Sequence, residues 1–157
     1  MRFIATILFV FGLTGISHAD TARDKYMRMY VVNSAYEMVR DDLELAITGR
    51  GIKINNISHI GDMLARTGKD LGAEKLIFAH AEAFEFCSAT VSRATMEADP
   101  HNIVFCPYII AVYSLPNEKD KTYLSFRRPT LVGGKASKTA LQKVEQLMKS
   151  IVEEVAN

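Results

Sequence analysis

The sequence has 157 residues, with 19 lysines and arginines against 18 aspartates and glutamates, and a hydrophobic fraction of 48%. This composition is typical of a folded globular domain and excludes a disordered chain. The nearly balanced charge gives no electrostatic reason to expect binding to nucleic acid.

The N-terminal segment MRFIATILFVFGLTGISHAD has the pattern of a secretory signal peptide. Arg2 precedes an apolar run, and the small residues Ser17 and Ala19 occupy the positions that a signal peptidase reads. We expect cleavage after Ala19, so that residues 1–19 are the signal peptide and 20–157 form one domain, periplasmic or secreted. The apolar run has about half of the roughly 20 residues that a spanning helix needs, so we expect no membrane span after cleavage.

The first half of the mature chain predicts two strand–helix pairs. Lys25 to Val32 is rich in aromatic and β-branched residues and predicts a strand. Ser34 and Glu37 have the spacing of a capping box and predict the start of a helix that ends at the glycines of TGRG. Ile52 to Ser58 alternates apolar and polar residues, as a half-buried strand does, and HIGDMLARTGKDLG has helical spacing.

The second half predicts a strand, a helix, a hairpin and a long helix. A buried strand is predicted from near Lys75 to Phe86, followed by a helix that Ser88 caps and Pro100 stops. CPYIIAVYSL and KTYLSFRR flank the polar turn PNEKD and predict a hairpin. SKTALQKVEQLMKSIVEEVAN predicts the last helix, with an apolar stripe of Leu141, Val144, Leu147, Met148, Ile151 and Val155.

The predicted order is therefore β-α-β-α-β-α-β-β-α. The hairpin and the alternation in Ile52 to Ser58 favour an α+β fold, with a mostly antiparallel sheet and helices packed on one face.

Four segments carry a resemblance to a known family: VVNSAYEMVRDDLELAITGRGIKI, ISHIGDMLARTGKDLG, KLIFAHAEAFEFCSATVSRATMEADPHNIVFCPYIIAVY and TYLSFRRP. With them the chain resembles domain-of-unknown-function family 302, a family of small bacterial α+β proteins. The resemblance covers nearly the whole mature chain and implies a TATA-binding-protein-like architecture that can self-associate through its sheet as a homo-oligomer. It implies no known reaction.

The chain has two cysteines, Cys87 and Cys106. The predicted helix from Ser88 to Ala98 advances about 16 Å, and the seven residues after it can return about 23 Å, so the two thiols can meet. In an exported protein the pair favours a structural disulfide. Two inert thiols and a redox pair remain alternatives, the latter because Cys87 would lie at a helix N-terminus that stabilises a thiolate.

Histidines beside the cysteines suggest a further hypothesis, a metal or haem site. His80 precedes Cys87 and His101 precedes Cys106, and imidazole with thiolate would suit zinc, copper or a haem iron. The spacing matches no standard site, so we predict no cofactor. Zinc, copper and haem remain alternatives. His59, between a strand and a helix, is either a polar group at a pocket mouth or a helix cap.

These observations predict a non-enzymatic periplasmic domain that binds a small ligand or a partner protein. We expect a disulfide between Cys87 and Cys106 to stabilise it. The sequence contains neither a G-x-S-x-G nor an H-E-x-x-H motif. One alternative is a redox or sulfur-handling accessory protein in which the same cysteines cycle. Another is a metal- or haem-binding protein that uses His59, His80 or His101.

Overall fold

The computed structural model describes residues 21–73 and 75–157. The predicted signal peptide lies outside the described residues. The strands are β1 (Met27–Val32), β2 (Ile54–Ser58), β3 (His80–Phe86), β4 (Tyr108–Ser114) and β5 (Thr122–Arg127). The helices are α1 (Thr21–Asp24), α2 (Tyr36–Thr48), α3 (Ile60–Asp70), α4 (Ala89–Ala98) and α5 (Lys135–Ala156), with a 3₁₀ helix at Pro100–Phe105.

The strands form one antiparallel sheet in the order β1-β5-β4-β3-β2. Phe84 lies opposite Ile110, and Ile110 lies opposite Phe126, so apolar side chains align across the strands on one face. The predicted α+β fold and element order are confirmed, and the structure adds α1 and the 3₁₀ helix.

The hydrophobic core lies between this face of the sheet and the helices. Leu43 and Ile47 of α2, and Val144 and Ile151 of α5, are fully buried against it. Each apolar side chain of this size contributes roughly 1.5 to 3 kcal/mol on full burial. The sheet supplies alternating core residues: Phe84, Phe86, Ile110, Val112, Leu124 and Phe126.

The capping box predicted for the first long helix is wrong. Helix α2 begins at Tyr36 with Ala35 at the N-cap position, and no side chain caps it. Ser34 therefore lies one residue outside the position that a capping side chain occupies, and its hydroxyl is 3.8 Å from Met38 Sδ. The cap predicted for α4 is confirmed, since Ser88 Oγ accepts a hydrogen bond from the Val91 amide.

Several other boundaries differ from the sequence prediction. The first two strands begin at Met27 and Ile54 instead of Lys25 and Ile52. Strand β3 begins at His80 instead of near Lys75, because its neighbour β4 ends at Ser114, which pairs with His80. The return segment before Cys106 is a 3₁₀ helix and not an extended chain, and the Asp99 carboxylate caps it by accepting from the His101 amide.

Helix α3 lies beside β3, beyond the point where β2 ends. A Cβ atom at Gly61 would lie 2.9 Å from the backbone nitrogen of Ala81, so the absence of a side chain there permits the close approach. The turn between β2 and α3 consequently brings His59 against the first residues of β3. This is the part of the fold that builds the candidate site.

The sheet face opposite the core carries exposed apolar side chains, including Met29, Val31 and Ile109. It is the surface through which the family resemblance implies self-association, which stays a prediction. Within residues 21–73 and 75–157, no helix has the length and apolar character needed to cross a membrane.

Candidate functional site

The two cysteines lie at disulfide distance, as the sequence predicts. The Cα atoms of Cys87 and Cys106 are 6.6 Å apart, within the range that a disulfide spans. Cys87 follows β3 and Cys106 follows the 3₁₀ helix. A disulfide here would join the end of β3 to the residue that follows the 3₁₀ helix, so that α4 and the 3₁₀ helix lie within one closed loop.

The structure does not bring His80 and Cys87 together. His80 is the first residue of β3 and Cys87 directly follows its last, so the two are about 23 Å apart along seven residues of extended chain. His101 is exposed on the 3₁₀ helix. In the part of the chain that the structure describes, no group of three or more His, Cys, Asp or Glu side chains is arranged to hold a metal ion. His80 instead shares a cleft with His59.

This cleft, here called the Glu82 cleft, has a volume of about 150 Å³. It forms where the start of α2, the β2–α3 turn and the start of β3 meet. Its lining is mostly polar and consists of Tyr36, Glu37, Arg40, His59, Asp62, His80, Ala81 and Glu82. The two histidines that the sequence put forward from separate segments therefore belong to one site.

Glu82 is the central charged group of the cleft. Its side chain is only 16% exposed, because it lies on the same face of β3 as Phe84 and Phe86. Arg40 Nε donates a hydrogen bond to Glu82 Oε2 at 3.2 Å, and His59 Nδ1 lies 2.7 Å from Oε1. Both carboxylate oxygens thus have partners, as a largely buried charge requires.

The contact with Glu82 determines what His59 offers to a ligand. A hydrogen bond to the carboxylate places a proton on Nδ1, so in neutral His59 the Nε2 atom is left as an acceptor. The His59 side chain is 59% exposed, so Nε2 is accessible. Glu82 therefore orients the imidazole in the way that carboxylates orient functional histidines elsewhere.

Arg40 is fixed by contacts on several sides. Its Nη1 lies 2.6 Å from Glu44 Oε2 and 3.0 Å from Asp41 Oδ1, and its guanidinium carbon is 5.3 Å from the centre of the Phe84 ring. Because these contacts immobilise the guanidinium, Arg40 holds Glu82 in place and its own positive charge is compensated within the protein.

Tyr36 and His80 form a stacked pair at one side of the cleft. Their ring centroids are 4.7 Å apart with an interplanar angle of 17°. The Tyr36 hydroxyl is buried and has no hydrogen-bond partner among the described residues. Burial raises the pKa of Tyr36 well above its ordinary value, and the nearby Glu82 carboxylate raises it further. Tyr36 is therefore a neutral phenol that can both donate and accept a hydrogen bond.

The sequence identified His59 and His80 but missed Tyr36, Arg40 and Glu82. A signal for Glu82 was present in HAEAFEF, where the acid has the same period-two phase as Phe84 and Phe86. A carboxylate on the buried face of a strand needs partners, which marks it as more than a solvent-exposed charge. Tyr36 and Arg40 gave no such signal, because only tertiary packing brings α2 next to β3.

Comparison with known proteins agrees with the fold. The family model described as domain of unknown function DUF302 matches residues 29–155. A crystal structure of an uncharacterized conserved DUF302 protein from Bacillus stearothermophilus gives a TM-score of 0.66 at 18% identity, covering 82% of this chain and 96% of that chain. This likeness shows the fold alone. No curated protein matches the sequence. Because the family model matches most of the chain, the protein belongs to the DUF302 family.

Proposed function

We propose that the protein is a non-enzymatic binding domain that takes a small polar ligand in the Glu82 cleft. The observation that carries this proposal is the buried Tyr36 hydroxyl, which has no partner among the described residues and lines the same cleft as His59. Buried polar groups in proteins nearly always have hydrogen-bond partners, so one left open at a concave site is suited to a ligand.

The charged groups of the cleft favour binding over catalysis. Arg40 and His59 already engage both oxygens of Glu82, so this carboxylate is suited to positioning and not to exchanging protons with a substrate. The raised pKa of Tyr36 keeps the phenol protonated at neutral pH, where it cannot act as a tyrosinate base. His59 Nε2 is accessible, but the lining of the cleft contains no serine, threonine or cysteine that it could activate as a nucleophile. The cleft therefore offers hydrogen-bonding groups in fixed positions.

The proposal places the protein outside the cytoplasm. The signal-peptide pattern of residues 1–19 and the disulfide distance between Cys87 and Cys106 both support this location. Fractionation of the native host followed by intact mass measurement tests it. We expect a mature chain that begins at Asp20 in the extracytoplasmic fraction, and a chain that keeps residues 1–19 in the cytoplasm would contradict it.

Binding is tested by native mass spectrometry of the untagged protein mixed with the small-molecule fraction of an extracytoplasmic extract. We expect the wild-type protein to show a mass increase from one bound small molecule. The His59→Ala/His80→Ala double variant should lose it, because the variant removes the exposed imidazole and the ring stacked on Tyr36.

His101→Ala is the matched control, since it removes an exposed histidine that does not line the cleft. It should bind as the wild type does. The proposal fails if the wild-type protein shows no adduct, or if the double variant keeps the adduct unchanged.

A further inference from the structure

A second cavity adjoins the Glu82 cleft. It lies beneath the hairpin between β4 and β5, has a volume of about 510 Å³, and is called the hairpin cavity below. Tyr36 and His80 line both cavities, so the stacked pair is their shared wall. A ligand in the cleft that passes this pair would enter the hairpin cavity.

The hairpin cavity also contains an unpartnered hydroxyl. Ser114 is 8% exposed and lines the cavity, and its Oγ has no hydrogen-bond partner among the described residues. The neighbouring Thr122 hydroxyl, in contrast, donates to the Ser34 carbonyl at 2.9 Å. Ser114 and Tyr36 thus leave two buried hydroxyl groups open at the junction of the two cavities, an arrangement that suits a polar ligand.

The charges around the two cavities indicate the sign of that ligand. Counted over both linings, there are five carboxylates and three fixed cations, an excess of 5 − 3 = 2 negative charges with histidines neutral. Arg40, one of the cations, is also engaged by Asp41 and Glu44 outside the linings. The local field therefore favours a cation over an anion. The carboxylates are Glu37, Asp62, Glu82, Glu118 and Asp120, and the cations are Arg40, Lys119 and Lys121.

We propose that the Glu82 cleft and the hairpin cavity form one site for a short aliphatic diamine, and this inference rests on the proposed binding function. The excess negative charge lies in the Glu82 cleft, which suits one ammonium group of an elongated dication. In the hairpin cavity the carboxylates are balanced by Lys119 and Lys121, so the second ammonium group is received there by the unpartnered Ser114 hydroxyl. Ser114 Oγ, Tyr36 Oη and His59 Nε2 can accept hydrogen bonds from ammonium. The stacked rings of Tyr36 and His80 contact the aliphatic chain between the two ends.

Isothermal titration calorimetry with three probes of matched length tests the ligand class. The probes are putrescine, butane-1,4-diol and succinate, which carry two positive charges, no charge and two negative charges. We expect putrescine to bind about tenfold more tightly than the diol, and succinate to bind most weakly. The inference is overturned if putrescine gives no binding heat, or if the diol or succinate binds as tightly.

Variants locate the binding on the structure. Ser114→Ala and Tyr36→Phe should each weaken putrescine binding about fivefold, the effect of one lost hydrogen bond. Neither should lower the unfolding midpoint, because neither hydroxyl has a partner among the described residues. Ser125→Ala is the control, a buried serine on the opposite face of the sheet, and should bind putrescine as the wild type does.

The outcomes separate this inference from the proposed function. If both hydroxyl variants keep wild-type affinity for putrescine, the diamine site is wrong. If Ser114→Ala lowers the unfolding midpoint without changing affinity, the hydroxyl serves a structural water and the inference is likewise overturned. In either case, a different small molecule that binds wild type and not the His59→Ala/His80→Ala variant would leave the proposed function standing.

Discussion

Glu82 is the residue that holds the proposed binding site together. On the helix-facing side of β3 it follows the same alternation as Phe84 and Phe86, both fully buried. The fold tolerates the carboxylate because Arg40 and His59 each contact one of its oxygens. These contacts in turn fix the imidazole that faces the cleft.

Glu82→Gln should lower the free energy of unfolding by roughly 1 to 2 kcal/mol. The amide keeps the shape of the side chain but loses the charge that accepts from Arg40 and His59. Urea unfolding of both proteins measures the difference.

The matched control is Glu97→Gln, which also removes one carboxylate from an Arg–Glu pair. The Glu97 side chain is 62% exposed and its partner Arg93 is 80% exposed, so solvent screens their attraction. We expect a change of about 0.5 kcal/mol or less. Equal losses in the two variants would show that the burial of Glu82 does not matter.

The segment from β3 through α4 and the 3₁₀ helix has contacts that hold it to the rest of the protein. The cysteines at its two ends lie at disulfide distance. Asn102, only 2% exposed, donates to the Thr95 carbonyl of α4 at 3.0 Å and exchanges hydrogen bonds with Ser137 of α5. The side-chain amide thus links three helical segments inside the protein.

Asn102→Ala should destabilise the protein by about 2 to 3 kcal/mol, since it leaves the Thr95 carbonyl and the Ser137 hydroxyl without this partner in the interior. Asn55→Ala, at an exposed position of the edge strand β2, is the control and should change stability by about 0.5 kcal/mol or less. Thermal and urea unfolding report both effects. If Asn102→Ala lowers the free energy of unfolding by no more than Asn55→Ala does, Asn102 does not link the three helical segments.

Reduction of the Cys87–Cys106 bridge should lower the free energy of unfolding by about 3 kcal/mol, because a cross-link 19 residues apart restricts the unfolded chain. Urea unfolding with and without reductant measures this loss. The Cys87→Ala/Cys106→Ala variant is the control, since reductant should not change its stability. If reduction leaves the wild type equally stable, the structural role is contradicted and the redox alternative gains support.

The elements themselves were largely predictable from local patterns. The Ser88 cap of α4 and the apolar stripe of α5 depend on neighbours in sequence, and both were recognised. Strand β2 was also recognised, but its burial does not alternate as predicted, because its pairing with β3 shifts between Ile54 and Asn56. The start of β3 was not recognised, because it is decided by where β4 ends across the sheet. The cleft was only half predictable for the same reason: His59 and His80 are visible as residue types, whereas their proximity is tertiary.

The buried tyrosines should make the stability of the protein depend on pH. Burial raises the pKa of Tyr36, and it also raises the pKa values of Tyr30, Tyr108 and Tyr113. A hydrogen bond to the Glu118 carboxylate raises the pKa of Tyr123 to about 12. An unfolded tyrosine titrates near pH 10, so the folded protein keeps tyrosine protons that the unfolded chain loses.

Stability should therefore be fully present below about pH 10 and should fall as the pH rises above it, because the unfolded chain then binds fewer protons than the folded protein. Urea midpoints at about pH 9 and about pH 11 measure the fall. Tyr36→Phe should reduce the fall, since it removes one of the groups responsible. A midpoint that stays constant or rises over this range would contradict the assignment.

Whether the Glu82 cleft holds a small polar ligand can be read from a map of amide chemical-shift changes when the wild-type protein is titrated with small polar molecules. We expect a molecule that binds to shift the amides of Tyr36, His59 and His80, which line the cleft. A second, apolar groove lies between α3 and the segment before β3, where Leu64 and Phe78 line it. Shifts confined to this groove, or to the exposed sheet face around Val31, would contradict binding in the Glu82 cleft.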